Sequence, residues 1–194
     1  MTTAKQSTGT KQNIRLSAEK LFRQRGYAAI GMRELAKAVG IEAPSIYNHY
    51  KSKDELLNEI CFDIGNQFHR AFDAAVANEE KFSKKLRAAI KSHVGVIASN
   101  LEASEVFFNE WMFLEAPNLA KFKKYRLEYE IKFRDILDKG MRKGDFKKMN
   151  SKLAVFTIFS ALNASYDLFN SKDKLTTDEI AEGISELLIK GLKA

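Results

Sequence analysis

Residues 32–57 read MRELAKAVGIEAPSIYNHYKSKDELL, and no other stretch limits the fold of this chain so tightly. Leu35, Ala36 and Val39 recur at helical spacing on one face. Gly40 follows, where an abrupt helix stop needs a residue able to take positive φ. A second helical pattern runs from about Ala43 to Tyr50, with Pro44 in its first turn, where a missing N–H costs nothing. Glu42 stands just ahead, favourable beside a helix N-terminus. So short a helix cannot sustain itself in water and must be held by its neighbours. That suits an element whose outer face is kept for a partner.

The placement of charge says which partner. Residues 1–53 carry ten Lys and Arg against three acids, Glu19, Glu34 and Glu42, whereas residues 54–194 carry 22 of each sign. The whole formal excess of +7 therefore lies in the first quarter of the chain. Spread evenly, such a balance would describe only a solvated surface. Confined to the segment with two short helices, it is the electrostatic footprint expected for duplex DNA.

Only two prolines occur, Pro44 and Pro117, and 45% of the 194 residues are hydrophobic. The apolar residues recur at three and four, which predicts an all-α fold with a sizeable core. About nine helices are expected: 11–25, 32–39, 43–50, 52–77, 83–100, 104–114, 117–140, 151–170, and 177 to the C-terminus. Ser52 and Glu55 form a capping box for the fourth. The single Cys61 excludes an intramolecular disulfide framework and fits a reducing cytoplasm. Residues 154–166 are too short and too often interrupted by Thr157, Ser160 and Asn163 to cross a membrane. His49, His69 and His93 are too far apart in sequence for a metal motif, and no Gly-rich phosphate loop is present. No enzyme activity, cofactor or metal is expected.

From LFRQRGY (21–27) through MRELAKAVGI (32–41) to PSIYNHYKSKDELL (44–57), the chain resembles the DNA-binding domain of TetR (tetracycline-repressor-like) transcription regulators. The likeness is specific over about residues 11–60 and architectural beyond. Gly31 and Glu42 depart from it, standing where the family usually has Ser or Thr. Residues 1–10 are polar with no apolar stretch and read as a flexible arm; the resemblance implies a helix-turn-helix DNA-binding domain over 11–53 and an effector-binding and dimerisation domain over 54–194. It implies a cytoplasmic, homodimeric regulator, a repressor, that binds a palindromic DNA operator and is released by a small lipophilic effector. The alternative is a regulator whose C-terminal bundle serves only dimerisation or protein partners.

By the same resemblance, Ala43, Pro44 and Tyr47 lie against base edges or thymine methyls. Ser45, Asn48, His49, Lys53 and Arg33 meet phosphates. For His49 the plainer role is a helix-end hydrogen bond, and Tyr50 at i+4 from Ile46 reads as core. Thirteen of fourteen phenylalanines lie after residue 60, and aromatic surface on this scale makes an apolar cavity plausible in a helical bundle. Candidates to line it are Phe107, Phe108, Tyr125, Tyr129, Phe133, Phe159 and Tyr166, with His93, Asn109, Trp111 and Asn163 as polar-tipped residues that orient a ligand. The last two long helices, which the resemblance assigns to the subunit interface, contribute Phe156, Leu168, Ile180, Ile184, Leu187 and Leu188.

Overall fold

The computed structural model describes the backbone of residues 2–171 and 175–192, with side chains from residue 9 onward. Among these residues every regular element is helical and no strand forms. In chain order they are α1 (Thr2–Arg25), α2 (Met32–Ala38), a 3-10 turn (Ser45–Asn48), α3 (Lys53–Val76), α4 (Phe82–Ser99) and α5 (Leu101–Asn109). A second 3-10 turn (Trp111–Phe113), α6 (Ala116–Lys143), α7 (Ser151–Asn163), α8 (Tyr166–Phe169) and α9 (Thr177–Leu192) complete them. The chain divides into two compact units. One comprises residues 1–64 with 102–122, the other residues 65–101 with 123–194. The cut expected at residue 53 falls inside the first of these.

Several elements differ from the sequence expectation, each for a local reason. Residues 2–10, expected as a flexible arm, are the opening turns of α1. No proline interrupts them, although Thr, Ser and Gly there are weak helix formers. Within residues 43–50, expected as an α-helix, only Ser45–Asn48 is regular and it is a 3-10 turn: Ser45, Tyr47 and His49 each donate an amide to the carbonyl three residues back, and Tyr50 closes it with a bond to Ile46 O. The helix expected over 104–114 begins at Leu101 and stops at Asn109. Asn100 bends the chain ahead of it, its side-chain amide donating to Val96 O at 2.9 Å. The helix expected over 151–170 is broken after Asn163, where Ser165 N–H reaches back to Leu162 rather than one residue further. Asn and Ser there are weak helix formers that compete for backbone bonds. The final helix was expected to reach the C-terminus; residues 193 and 194 lie outside the described residues.

Gly140, expected to end the helix over 117–140, lies within α6 and serves another purpose. A Cβ at Gly140 would stand 2.3 Å from the Phe146 ring, and Phe146 is buried. The stop is Gly144, at φ +81, with Asp145 N–H donating to Gly140 O at 2.9 Å. Asp145 then accepts the Phe82 amide at the start of α4 at 3.0 Å, so one turn closes α6 and opens α4. Along α4 runs α9, burying Ile180 and Ile189, while Glu182 binds Arg87 and Lys91 from its solvent side. We expect Gly140→Ala to destabilise the protein by about 1–3 kcal/mol, the usual cost of overpacking. A urea-denaturation midpoint unchanged from wild type would contradict this packing.

Candidate nucleic-acid interface

The first unit builds one end from two helix stops, two helix starts and a buried anchor. Helix α1 ends at Gly26 (φ +80), whose amide donates to Phe22 O at 2.8 Å. Helix α2 starts from Gly31 in extended conformation with no side-chain cap, and ends at Gly40 (φ +72). There Ile41 N–H bonds Ala36 O and Gly40 N–H bonds Lys37 O, the paired pattern of a Schellman stop. The chain then enters the Ser45–Asn48 turn through Glu42, whose carbonyl accepts from Ser45 N–H at 2.9 Å. Ile46 is fully enclosed, and Tyr50 is 1% exposed. Helix α3 opens on the expected box. Ser52 Oγ accepts Glu55 N–H at 3.0 Å, although the Glu55 carboxylate takes the Lys51 amide (2.7 Å) rather than that of Ser52.

Polar bonds fix this end from beneath. Tyr50 donates its hydroxyl to Glu59 at 3.0 Å, while Glu59 also receives Lys11 at 2.8 Å. Arg15 reaches Glu19 (2.8 Å) and Asp63 (2.7 Å), so α1 is stitched to α3. Burial first, then the bond to Glu59, raises the Tyr50 pKa above the ordinary phenol value, and it stays a donor. A second set surrounds Tyr27. Its amide donates to Glu110 (3.0 Å), its carbonyl accepts Lys53 (2.8 Å), and the Lys53 ammonium lies 4.0 Å above its ring. Phe113 stacks on that ring at 5.5 Å, Arg23 pairs with Glu105 at 2.8 Å, and Asp54 accepts the Glu115 amide at 3.1 Å. Burial, then the carboxylates of Asp54 and Glu115, pushes the Tyr27 pKa up to about 12.

The structure brings the eight candidate DNA-contacting residues to this end, though not equally free. Tyr47 is 52% exposed; Arg33, Pro44 and Asn48 are also exposed, while Ala43, Ser45 and His49 are half-buried. Lys53 is half-buried and engaged with Tyr27, and burial lowers its pKa. Sequence reasoning missed Lys37 and Lys51, which are exposed and, like Arg33, form no ion pair among the described residues. Much of the counted positive charge is spent internally, because Lys11, Arg15 and Arg23 pair with acids that come after residue 53.

The candidate ligand residues separate between the two units. In the second, His93 stacks on Phe68 at 4.4 Å and lies 3.3 Å from the Tyr129 hydroxyl. Phe159 meets Phe133 at 4.9 Å and Tyr129 at 5.7 Å, and Tyr125 joins through His69 at 4.2 Å. In the first unit, Phe107 packs on Phe122 (5.2 Å) and Phe108 (5.2 Å), with Trp111 6.0 Å from Phe122. Asn109 is exposed; Asn163 and Tyr166 are half-buried. Helical spacing showed which of these residues share a face but not which helix that face meets. Of the candidate interface residues, Phe156 (69% exposed) and Leu187 (78%) are open, and Leu168 is partly so. Ile184 and Leu188 are half-buried, and Ile180 is enclosed by α9 packing on α4, so it has little surface left for a partner. Leu153 is open beside them, and a trough of about 300 Å³ runs between α7 and α9 past Leu153, Leu187 and Leu188. No described helix is long and apolar enough to cross a membrane.

Comparison with known proteins adds to this geometry. Residues 14–60 match the family of bacterial regulatory proteins called tetR, and residues 79–192 match the tetracyclin repressor-like C-terminal domain. The chain is 23% identical over 190 residues to the HTH-type transcriptional repressor KstR2 of Rhodococcus jostii, covering 95% of this chain and 92% of that protein. Its fold resembles the ketosteroid transcriptional regulator KstR2 of Mycobacterium tuberculosis, with a TM-score of 0.89 at 18% identity over 95% of both chains. It also resembles AibR, solved with isovaleryl coenzyme A and operator DNA, with a TM-score of 0.83 at 19% identity over 93% of this chain and 98% of that one.

Complete burial holds His93 near a pKa of about 3, against 6.5 in the unfolded chain. Between these values the unfolded chain takes up a proton that the folded protein refuses. Stability from this residue is therefore full above about pH 6.5 and drains as pH falls toward 3. In His93→Phe, which keeps a ring against Phe68, the denaturation free energy should fall less steeply between pH 6 and 4, by roughly 1 kcal/mol per pH unit. Parallel slopes for the two proteins would show that His93 is not held neutral.

Proposed function

We propose a repressor mechanism for this chain, which belongs to the tetR family of bacterial regulatory proteins and is a DNA-binding transcription regulator. The observation that carries the proposal is the Ser45–Asn48 turn. Tyr47 projects from it into solvent, while Ile46 and Tyr50 on either side are locked in the core. In our reading the turn enters a major groove, with Ala43, Pro44 and Tyr47 against base edges and Ser45, Asn48 and His49 near phosphates. Arg33, Lys37 and Lys51 supply the phosphate-neutralising charge. Lys53 mainly braces Tyr27, with donors to spare for a phosphate.

One such head covers too little DNA for tight specific binding, so two act together on a palindromic operator. Leu153, Phe156 and Leu187 offer the apolar strip for a two-fold dimer. A lipophilic effector in the C-terminal bundle then releases the operator by favouring a different spacing of the heads. The description of Mycobacterium tuberculosis KstR2 as a ketosteroid transcriptional regulator, and AibR's complex with isovaleryl coenzyme A, support this effector class. Coupling of about 1–3 kcal/mol, roughly 5–150-fold in operator affinity, is the usual scale. The closed packing of His93, Tyr129 and Phe133 favours a second reading, in which the bundle only dimerises.

An operator selected from random duplexes tests the DNA contacts by fluorescence anisotropy. Tyr47→Ala should lose at least tenfold in affinity with an unchanged circular-dichroism spectrum. Lys51→Ala should weaken every duplex alike and flatten the salt dependence by about one unit of slope. Full operator affinity in Tyr47→Ala would mean that another surface reads the DNA. Separately, Leu187→Glu should sediment as a monomer where wild type sediments as a dimer; two identical profiles would remove α9 from the interface.

A further inference from the structure

We propose that the groove between α6 and α7 is a binding site for an anionic group carried on an apolar chain. This rests on the effector reading above and names the chemistry of the effector. On α6, Arg126, Glu130 and Arg134 fall at successive i+4 steps and face one side. On α7, Lys152, Phe156, Phe159 and Asn163 line the opposite wall. The space between is about 360 Å³, within the range of small-molecule pockets.

Three features of the groove select the ligand. Three cations line it against a single acid, Glu130, and neither Arg134 nor Lys152 forms an ion pair among the described residues. Arg134 Nε and Asn163 Oδ1 are both shielded from water without a hydrogen-bond partner. A buried donor of this kind is costly to leave unmade, and an anion's oxygens would satisfy it with a charge-assisted bond. Asn163, turned about its terminal torsion, presents N–H groups to the same oxygens. The floor, finally, is apolar. Phe159 lines the groove and also packs edge-on against Phe133, Tyr129 and His93. An apolar chain on that floor would press on the aromatic cluster, while its charged end stays with Arg134 and Lys152. A carboxylate and a coenzyme A thioester share this chemistry, an anion joined to a hydrocarbon chain.

Isothermal titration of the full-length protein with decanoate, decanoyl-coenzyme A and decanol separates the cases. Decanoate, the thioester or both should bind at least tenfold more tightly than decanol. Binding by decanoate would place a carboxylate at Arg134, whereas binding by the thioester alone would place phosphates there. The variants R134Q and K152Q should each lose at least fivefold for the anion and nothing for decanol, with R134K recovering part of the loss. If R134Q fails to fold, exposed Lys152 and the decanol comparison still decide. Equal affinity for decanol and the anions would overturn the groove proposal while leaving a lipophilic effector standing. Binding of none of the three would overturn both. If R134Q and K152Q bind the anions as wild type does but dissociate the dimer, a second copy of the chain fills the groove, and the proposal falls.

Discussion

A 3-10 turn of four residues has no means of keeping its own shape, and the proposed DNA-facing end of this protein depends on how that turn is tethered. The tether is Tyr50. Its ring is enclosed and its hydroxyl is held by Glu59, which Lys11 grips from α1. Ile46 pins the turn from within, so Tyr47 between them has one way to point. Rigidity that the turn lacks is supplied by the helices beneath it. That is the arrangement a base-reading element needs, since a loosely held contact would lose in ordering entropy much of what it gains on DNA.

The local punctuation of the first unit was legible because each stop is written in one or two residues. Gly26 and Gly40 stand at positive φ, and Ser52 caps α3. The character of the turn itself was not legible, because periods of 3.0 and 3.6 cannot be told apart over a single turn. Nor was the fate of the charges. A count along residues 1–53 sees ten cations but not Glu59, Asp63 and Glu105, which arrive from later in the chain to pair with Lys11, Arg15 and Arg23. The exposed positive charge outside these ion pairs is smaller than the count and includes Arg33, Lys37 and Lys51.

In the second unit the same limit takes another form. The spacing of Tyr125, Tyr129 and Phe133 fixes a stripe on α6, yet nothing in it says that His93 and Phe159 would close on that stripe. The interface helices show the converse. Apolar residues go almost all the way round α7, and only packing decides that Val155 and Ile158 turn inward while Leu153 and Phe156 face out. His93 is 1% exposed among these rings, and that burial pushes its pKa down.

The clasp on Tyr27 also bears on the order in which this protein takes shape during synthesis. Glu110 holds its amide, Phe113 covers its ring, and Asp54 engages the Glu115 amide, all partners that the ribosome supplies after the whole helix-turn-helix segment has emerged. At about 5–20 residues per second, the nascent head waits on the order of 3 to 12 seconds for them. Until then Tyr27 has Lys53 but not Glu110 or Phe113, and Arg23 has not met Glu105, so the segment matures together with chain translated well after it and is ill suited to transplantation as a free-standing cassette.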